Sequence, residues 1–218
     1  MNSSKLNADE IMFQSGLRIN NSMNDAQVLD AVSAFGYTTE KLTEGAKLLA
    51  EATVLVETQK KEYGEVDAAQ AAFETKRADA HRLYMNMLAI CQVAFKKNVQ
   101  AISTLDLTGR RATTISGWLK QTAGFYRALL ANAGWKAVLA SYGQTEEKLQ
   151  AQLAAIEEVA VTSETKKKEM GDAQNATKLR DEKLEELADW VNDYEVIAEI
   201  ALAGSPQLLE KLGIVVKS

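Results

Sequence analysis

The fold is decided by two stretches of the same length, GYTTEKLTEGAKLLAEATVLVETQKKEYG (Gly36 to Gly64) and GQTEEKLQAQLAAIEEVAVTSETKKKEMG (Gly143 to Gly171). They align without a gap at an offset of 143 − 36 = 107, and 13 of their 29 positions are identical. Chance would give about two identities for compositions of this kind. The match runs outward in both directions. AVSAFG before the first glycine falls on VLASYG, and AISTLDL, later in the chain, falls on LLEKLGI. A self-similarity of this kind is the mark of an internal repeat. It predicts a first helical repeat over residues 1–107 and a second over 108–218, intertwined as one folding unit.

Each repeat reads the same way. A first helix runs to Gly36 or to Gly143, each a stop that takes positive φ. Thr38 and Thr145 follow two residues later as N-caps, with acidic residues behind them in the first turn. A long helical stretch then extends from about 39 to 98 and from about 146 to 203, roughly 90 Å at the α-helical rise if unbroken. Near its middle lie Gly64 and Gly171, in the charged segments ETQKKEYGEVD and ETKKKEMGDAQ. A hairpin at each glycine is one reading. The other is a continuous helix that tolerates one glycine at about 1 kcal/mol. Continuity is preferred, because no Pro, Asn-Gly or Asp-Gly turn signal accompanies either glycine.

The apolar stripe supports that preference. It is dense at Leu48, Leu49, Ala52, Val54, Leu55 and Val56 but thins around the glycine to Tyr63, Val66 and Phe73. A wide stripe touches several helices and a narrow one is a two-helix seam. The expected architecture is all-α: an elongated antiparallel bundle of two long and two shorter helices, related by a pseudo-twofold axis. A three-helix bundle is expected at each end, with Gly64 and Gly171 allowing close backbone approach at the middle.

Composition agrees with helices. Of 218 residues, 46% are hydrophobic and 25% charged, and there is one proline, Pro206. The net charge of −5 disfavours a nucleic-acid partner, which needs a concentrated cationic face. MNSSKLNADE at the start has no apolar core of the signal-peptide kind. The longest apolar runs, such as VIAEIALA, fall short of the ~20 residues that span a bilayer. The expectations are a cytoplasmic location and no membrane span.

Few residues carry chemistry. His81 is the only histidine and Cys91 the only cysteine. Di-metal bundle sites need two Glu-x-x-His pairs, so neither a metal nor another cofactor is expected. His81 reads as a surface or boundary residue and Cys91 as a buried core residue. Gly109-Arg110-Arg111 could hold a phosphate ahead of a helix, although a solvated linker is the commoner meaning of such a run. Lys166, Lys167 and Lys168 read as an exposed face of mixed charge. Trp118, Phe125, Tyr126 and Trp135 read as core aromatics before they read as a ligand pocket. No catalytic residue is assigned. The six residues singled out, Gly36, Gly143, Gly64, Gly171, Thr38 and Thr145, are structural.

The segments AFGYTTEKLTEG…ETQKKEYGE, GWLKQTAGFYRALLANAGW and PQLLEKLGIVVKS resemble a group of uncharacterised bacterial helical proteins. The resemblance covers nearly the whole chain and rests on architectural elements. It implies a bacterial helical protein and carries over no activity. The function expected is a non-enzymatic structural or protein-interaction module with a protein partner, the oligomeric state being open to a homo-oligomer. The alternatives are a helical protein binding a small apolar or amphipathic ligand, and a membrane-associated helical component.

Overall fold

The computed structural model describes residues 7–215, and no strand occurs among them. The helices are α1 (Ala8–Asn24), α2 (Ala26–Ser33), α3 (Thr39–Ala94), α4 (Val99–Thr104), α5 (Ile115–Ala131), α6 (Ala133–Ala140), α7 (Glu146–Ala201) and α8 (Pro206–Lys211). Each of α5 to α8 begins and ends 107 residues after its counterpart among α1 to α4, as in 146 − 39 and 201 − 94.

The helix ends follow the same numbering. Gly36 and Gly143 take φ +92° and +71°, a region that glycine enters without a Cβ clash. Tyr37 N donates to Val32 O at 3.1 Å, and Gln144 N donates to Leu139 O at 3.0 Å. These six-to-one bonds, with the left-handed glycine between, are Schellman stops. Ends of the same form close α4 and α8, where Leu107 N donates to Ile102 O and Ile214 N to Leu209 O. Gly213 is left-handed at the second of these and Asp106, at φ 50°, at the first.

Three expectations need correction, two of them at helix ends. The helix before each glycine is not one helix but two. Asp25 and Asn132 adopt extended backbone and accept hydrogen bonds from the first turns of α2 and α6, which ends α1 and α5 there. The two long helices are also shorter than expected at their C-termini. Asn98 caps a separate α4, its carboxamide accepting from Ala101 N. Among the described residues the architecture is therefore two long helices with six shorter ones.

Both long helices run unbroken through Gly64 and Gly171. The expected close approach there is absent: a Cβ on either glycine would meet nothing within 4 Å. Both are exposed, so each is a tolerated helical glycine and not a packing device.

The chain divides into two compact units. Unit 1 is 1–64 with 171–218, and unit 2 is 65–170. Each takes half of each long helix. In unit 1, Val28, Val32, Leu42, Tyr194, Ala198 and Leu202 form one core cluster. A smaller one gathers Ala52, Leu184, Leu187 and Val191. In unit 2 a single larger core holds Phe73, Tyr84, Met87, Cys91, Phe95, Trp118, Phe125, Tyr126, Leu129 and Trp135, among others. Phe73, one of the sparse mid-helix positions, is buried, whereas Tyr63 and Met170 are exposed. No helix among the described residues is long and apolar enough to cross a membrane.

Candidate functional site

Unit 1 contains a groove of about 410 Å³ between the first part of α3 and the last part of α7. One wall is the ring of Trp190. It lies so close to Gly45 that a Cβ at that glycine would sit 2.5 Å from the ring. Tyr194 stacks on Trp190 at 5.8 Å and Tyr37 meets it edge-on at 5.6 Å, geometries that aromatic quadrupoles favour. The Trp190 Nε1 hydrogen is buried and unpartnered.

The rim of the groove is charged but compensated. Lys183 pairs with Glu51 at 2.9 Å and with Glu186 at 2.6 Å, and Lys41 pairs with Glu44 at 2.7 Å. The Glu186 and Glu51 carboxylates raise the Lys183 ammonium above its ordinary value. Glu51 is lowered by its hydrogen bond from Lys183. A carboxylate held ionised by an ammonium is a poor proton acceptor at neutral pH. The groove therefore offers an aromatic wall and balanced charge, with no poised acid or base.

Beside it, α1 is held by polar contacts. Arg18 is 6% exposed and donates to Glu195 at 3.2 Å and to Gln14 at 3.2 Å. Its Nε has no partner. Ser22 and the Tyr194 hydroxyl, both fully buried, hydrogen-bond to each other. Burial raises Tyr194, opposed by that bond to Ser22.

In unit 2 the polar groups are arranged differently. The Trp118 indole donates to His81 Nδ1 at 3.2 Å, so the lone histidine is exposed and bonded to a core residue, as a boundary residue should be. Cys91 is fully buried, and burial pushes its thiol up to about 12. A protonated thiol is neither nucleophile nor metal ligand. Tyr126 is also raised by burial, and its hydroxyl lacks a partner. The core reading of Trp118, Phe125, Tyr126 and Trp135 holds, all four being buried.

In the loop before α5 the Arg111 guanidinium is taken up by the protein itself, while Arg110 is exposed. Arg111 donates to the Tyr84 hydroxyl and to the carbonyls of Asp106 and Gly109. A Cβ at Gly109 would fall 1.8 Å from the Asp106 carboxylate, which would have to turn aside. The N-terminus of α5 is already capped by Thr114, which accepts from Gly117 N at 3.2 Å. In the lysine run, Lys166 lies over the Phe73 ring at 5.2 Å.

Of the six structural residues, Gly36 and Gly143 are the helix stops already described. Thr145 accepts from Lys148 N at 3.4 Å, while the Thr38 hydroxyl donates to the Glu40 carboxylate at 2.7 Å. These threonines lower Glu40 and Glu147 below the usual carboxylate range. The groove around Trp190 was not legible beforehand. Its only signal was a glycine, Gly45, inside a strongly helical run.

Exposed large apolar residues recur at matching positions. Phe35 and Tyr142 are 50% and 46% exposed, and Val54 and Val161 are 60% and 61%. Tyr63 and Met170 are 48% and 42%, Ile200 and Val93 55% and 59%. Each pair is 107 apart, and each unit carries one member of every pair.

No family model, curated protein or solved structure matches the chain.

Proposed function

We propose that the chain is a tandem duplication of one helical unit and serves as a non-enzymatic protein-interaction module that offers one set of apolar docking positions twice. The equal spacing of all four helix pairs, the matching six-to-one stops after α2 and α6 and after α4 and α8, and the 13 identities support the duplication. The observation that carries the function is the recurrence of exposed apolar residues. Single exposed apolar side chains are ordinary. Here four recur in both units, although their identities have drifted from Phe to Tyr, Tyr to Met and Val to Ile. Interior positions have meanwhile changed polarity altogether: Arg18 corresponds to Phe125, Ser22 to Leu129 and Glu195 to Leu88. Apolar character kept at these four exposed positions, while three interior ones lost theirs, fits a recognition surface.

The test replaces Phe35 and Tyr142 with glutamate, singly and together, and measures sedimentation of the pure chain and quantitative capture of interacting proteins. A specific interaction, with a protein or with a second copy, should weaken in each single variant and vanish in the double, with helicity and melting unchanged. Equal association by wild type and double variant would remove the proposal. The Trp190 groove favours a second reading, an amphipathic ligand, because an aromatic wall with an unpartnered indole N–H lies beside a charged rim. A saturable tryptophan fluorescence change with a lysophospholipid, abolished in Trp190→Phe, would support it.

A further inference from the structure

Helix α1 occupies the same place in unit 1 that α5 occupies in unit 2, but the two are attached by different chemistry. On α5 the buried residues include Trp118, Ala123, Phe125, Tyr126 and Leu129. On α1 they are Ser15, Arg18, Ile19 and Ser22. Position by position, Thr122, Phe125, Tyr126 and Leu129 become Ser15, Arg18, Ile19 and Ser22. The facing long-helix residues change in step, from Met87 and Leu88 to Tyr194 and Glu195. Thus the α5 contact is an apolar seam, with Phe125 edge-on to Tyr84 at 5.3 Å. The α1 contact is a polar seam of Arg18 to Glu195 and Ser22 to Tyr194.

The difference bears on how readily each helix leaves. Parting an apolar seam exposes that surface to water with nothing in return. A buried ion pair regains its hydration when it opens, so its net hold is small. Arg18 also carries an unpartnered Nε into the interior, a penalty that opening relieves.

The surroundings favour α1 moving alone. It joins α2 at Asp25, in extended backbone. The Asp25 carboxylate caps α2 and is gripped by Lys211 at 2.7 Å. Val28 and Val32 of α2 are fully buried in the core with Leu202 and Leu212. The chain is therefore anchored beyond the hinge. Ahead of it, α1 is retained by the polar seam, by Asn21 Nδ2 donating to Lys211 O at 2.6 Å, by fully buried Ile19, and by half-buried Ile11 and Met12. Those two pack over the Ala52, Leu184, Leu187 cluster.

We propose that α1 is a strap that opens and recloses about Asp25 while the rest of unit 1 stays folded, uncovering the apolar seam between α3 and α7 at Ala52, Leu184 and Leu187. The occupant of that seam in the closed state is α1 itself.

Hydrogen exchange of the full-length chain, resolved by peptide, tests this. Amides of α1 should exchange at least about tenfold faster than those of α5, while amides of α7 from Leu187 to Ala198 stay protected, the pattern of sub-global opening. Exchange of α1 at the rate of α7 in unit 1, or no faster than α5, overturns the proposal. A second arm transplants the apolar seam as Arg18→Phe, Ser22→Leu, Tyr194→Met and Glu195→Leu. If this variant folds, the gap between α1 and α5 should close, and a persisting gap overturns the proposal. If it does not fold, the wild-type rates decide.

Discussion

Replacing Gly64 and Gly171 with alanine is expected to stabilise the protein. Both lie inside unbroken, exposed stretches of helix, where glycine costs about 1 kcal/mol relative to alanine. The usual objection to such a change is a clash, and here a Cβ would meet nothing within 4 Å at either position. Neither glycine takes positive φ, so alanine inherits no strained backbone. The gain should be about 1 kcal/mol for each and about 2 for the pair, roughly 4 to 8 °C in Tm for a chain of this length. Urea and thermal melts followed by circular dichroism at 222 nm would measure it. Both glycines belong to unit 1, so a melt with two transitions should move in one. A loss of stability in either single variant would mean that the helix breaks at that glycine or that its missing side chain is needed for packing. The continuous-helix account would then fail.

Gly45→Ala should lower stability by about 1 kcal/mol net, because the added Cβ would press on Trp190 at a typical overpacking cost of 1–3 kcal/mol. In a Trp190→Leu background the same change should be neutral or favourable, and a double-mutant cycle showing no such reversal would refute the contact. Stability should fall as pH rises above about 9. The Cys91 thiol ionises near 9.0 when unfolded but only at about 12 when folded, so the unfolded state loses its proton first and gains from alkalinity. Cys91→Ala should flatten that slope, partly only, because Tyr126, Tyr84 and Tyr194 are raised too. Arg18→Ala should cost about 3 kcal/mol by leaving Glu195 without its counter-ion; a cost below about 1 kcal/mol in a urea melt would show that water already satisfies Glu195. A chain of residues 65–170 should fold alone and melt cooperatively, since it holds the whole of the larger core. Residues 1–107 should not fold as a monomer, since they lack Tyr194, Ala198 and Leu202 of their own core.

Much of the fold could be read from residue order because helix stops are local chemistry. Gly36 and Gly143 need only their own φ and the preceding turn, so the signal is complete in about six residues. The breaks at Asp25 and Asn132 use equally local caps, yet they were missed. No proline accompanies either, the one nearby glycine, Gly134, falls after the Asn132 cap and inside α6, and the apolar spacing of α5 runs on into α6 through Leu130 and Trp135. Continuity at Gly64 was correctly preferred from the absence of turn residues. The close approach supposed there failed because a glycine's spacing says nothing about what stands opposite it. That fact is tertiary, and the glycine that does receive a neighbour is Gly45, whose partner Trp190 lies far along the chain. The polar seam under α1 was illegible for the same reason. Arg18 and Ser22 look like solvated helix positions until Glu195 and Tyr194 are brought against them.

The division of the chain at Gly64 and Gly171 also sets an order of assembly during synthesis. Unit 2 is one continuous stretch, whereas unit 1 joins residues up to Gly64 to the 48 residues 171–218. A ribosome adds roughly 5 to 20 residues per second, so the N-terminal part of unit 1 waits roughly 2 to 10 s after Met170 is made for its other half. During that interval Val28, Val32 and Leu42 have no Tyr194 or Leu202 to cover them. The nascent chain thus carries these apolar residues uncovered until Leu202 is made, and products truncated before that point should be marked for chaperones and proteases by them.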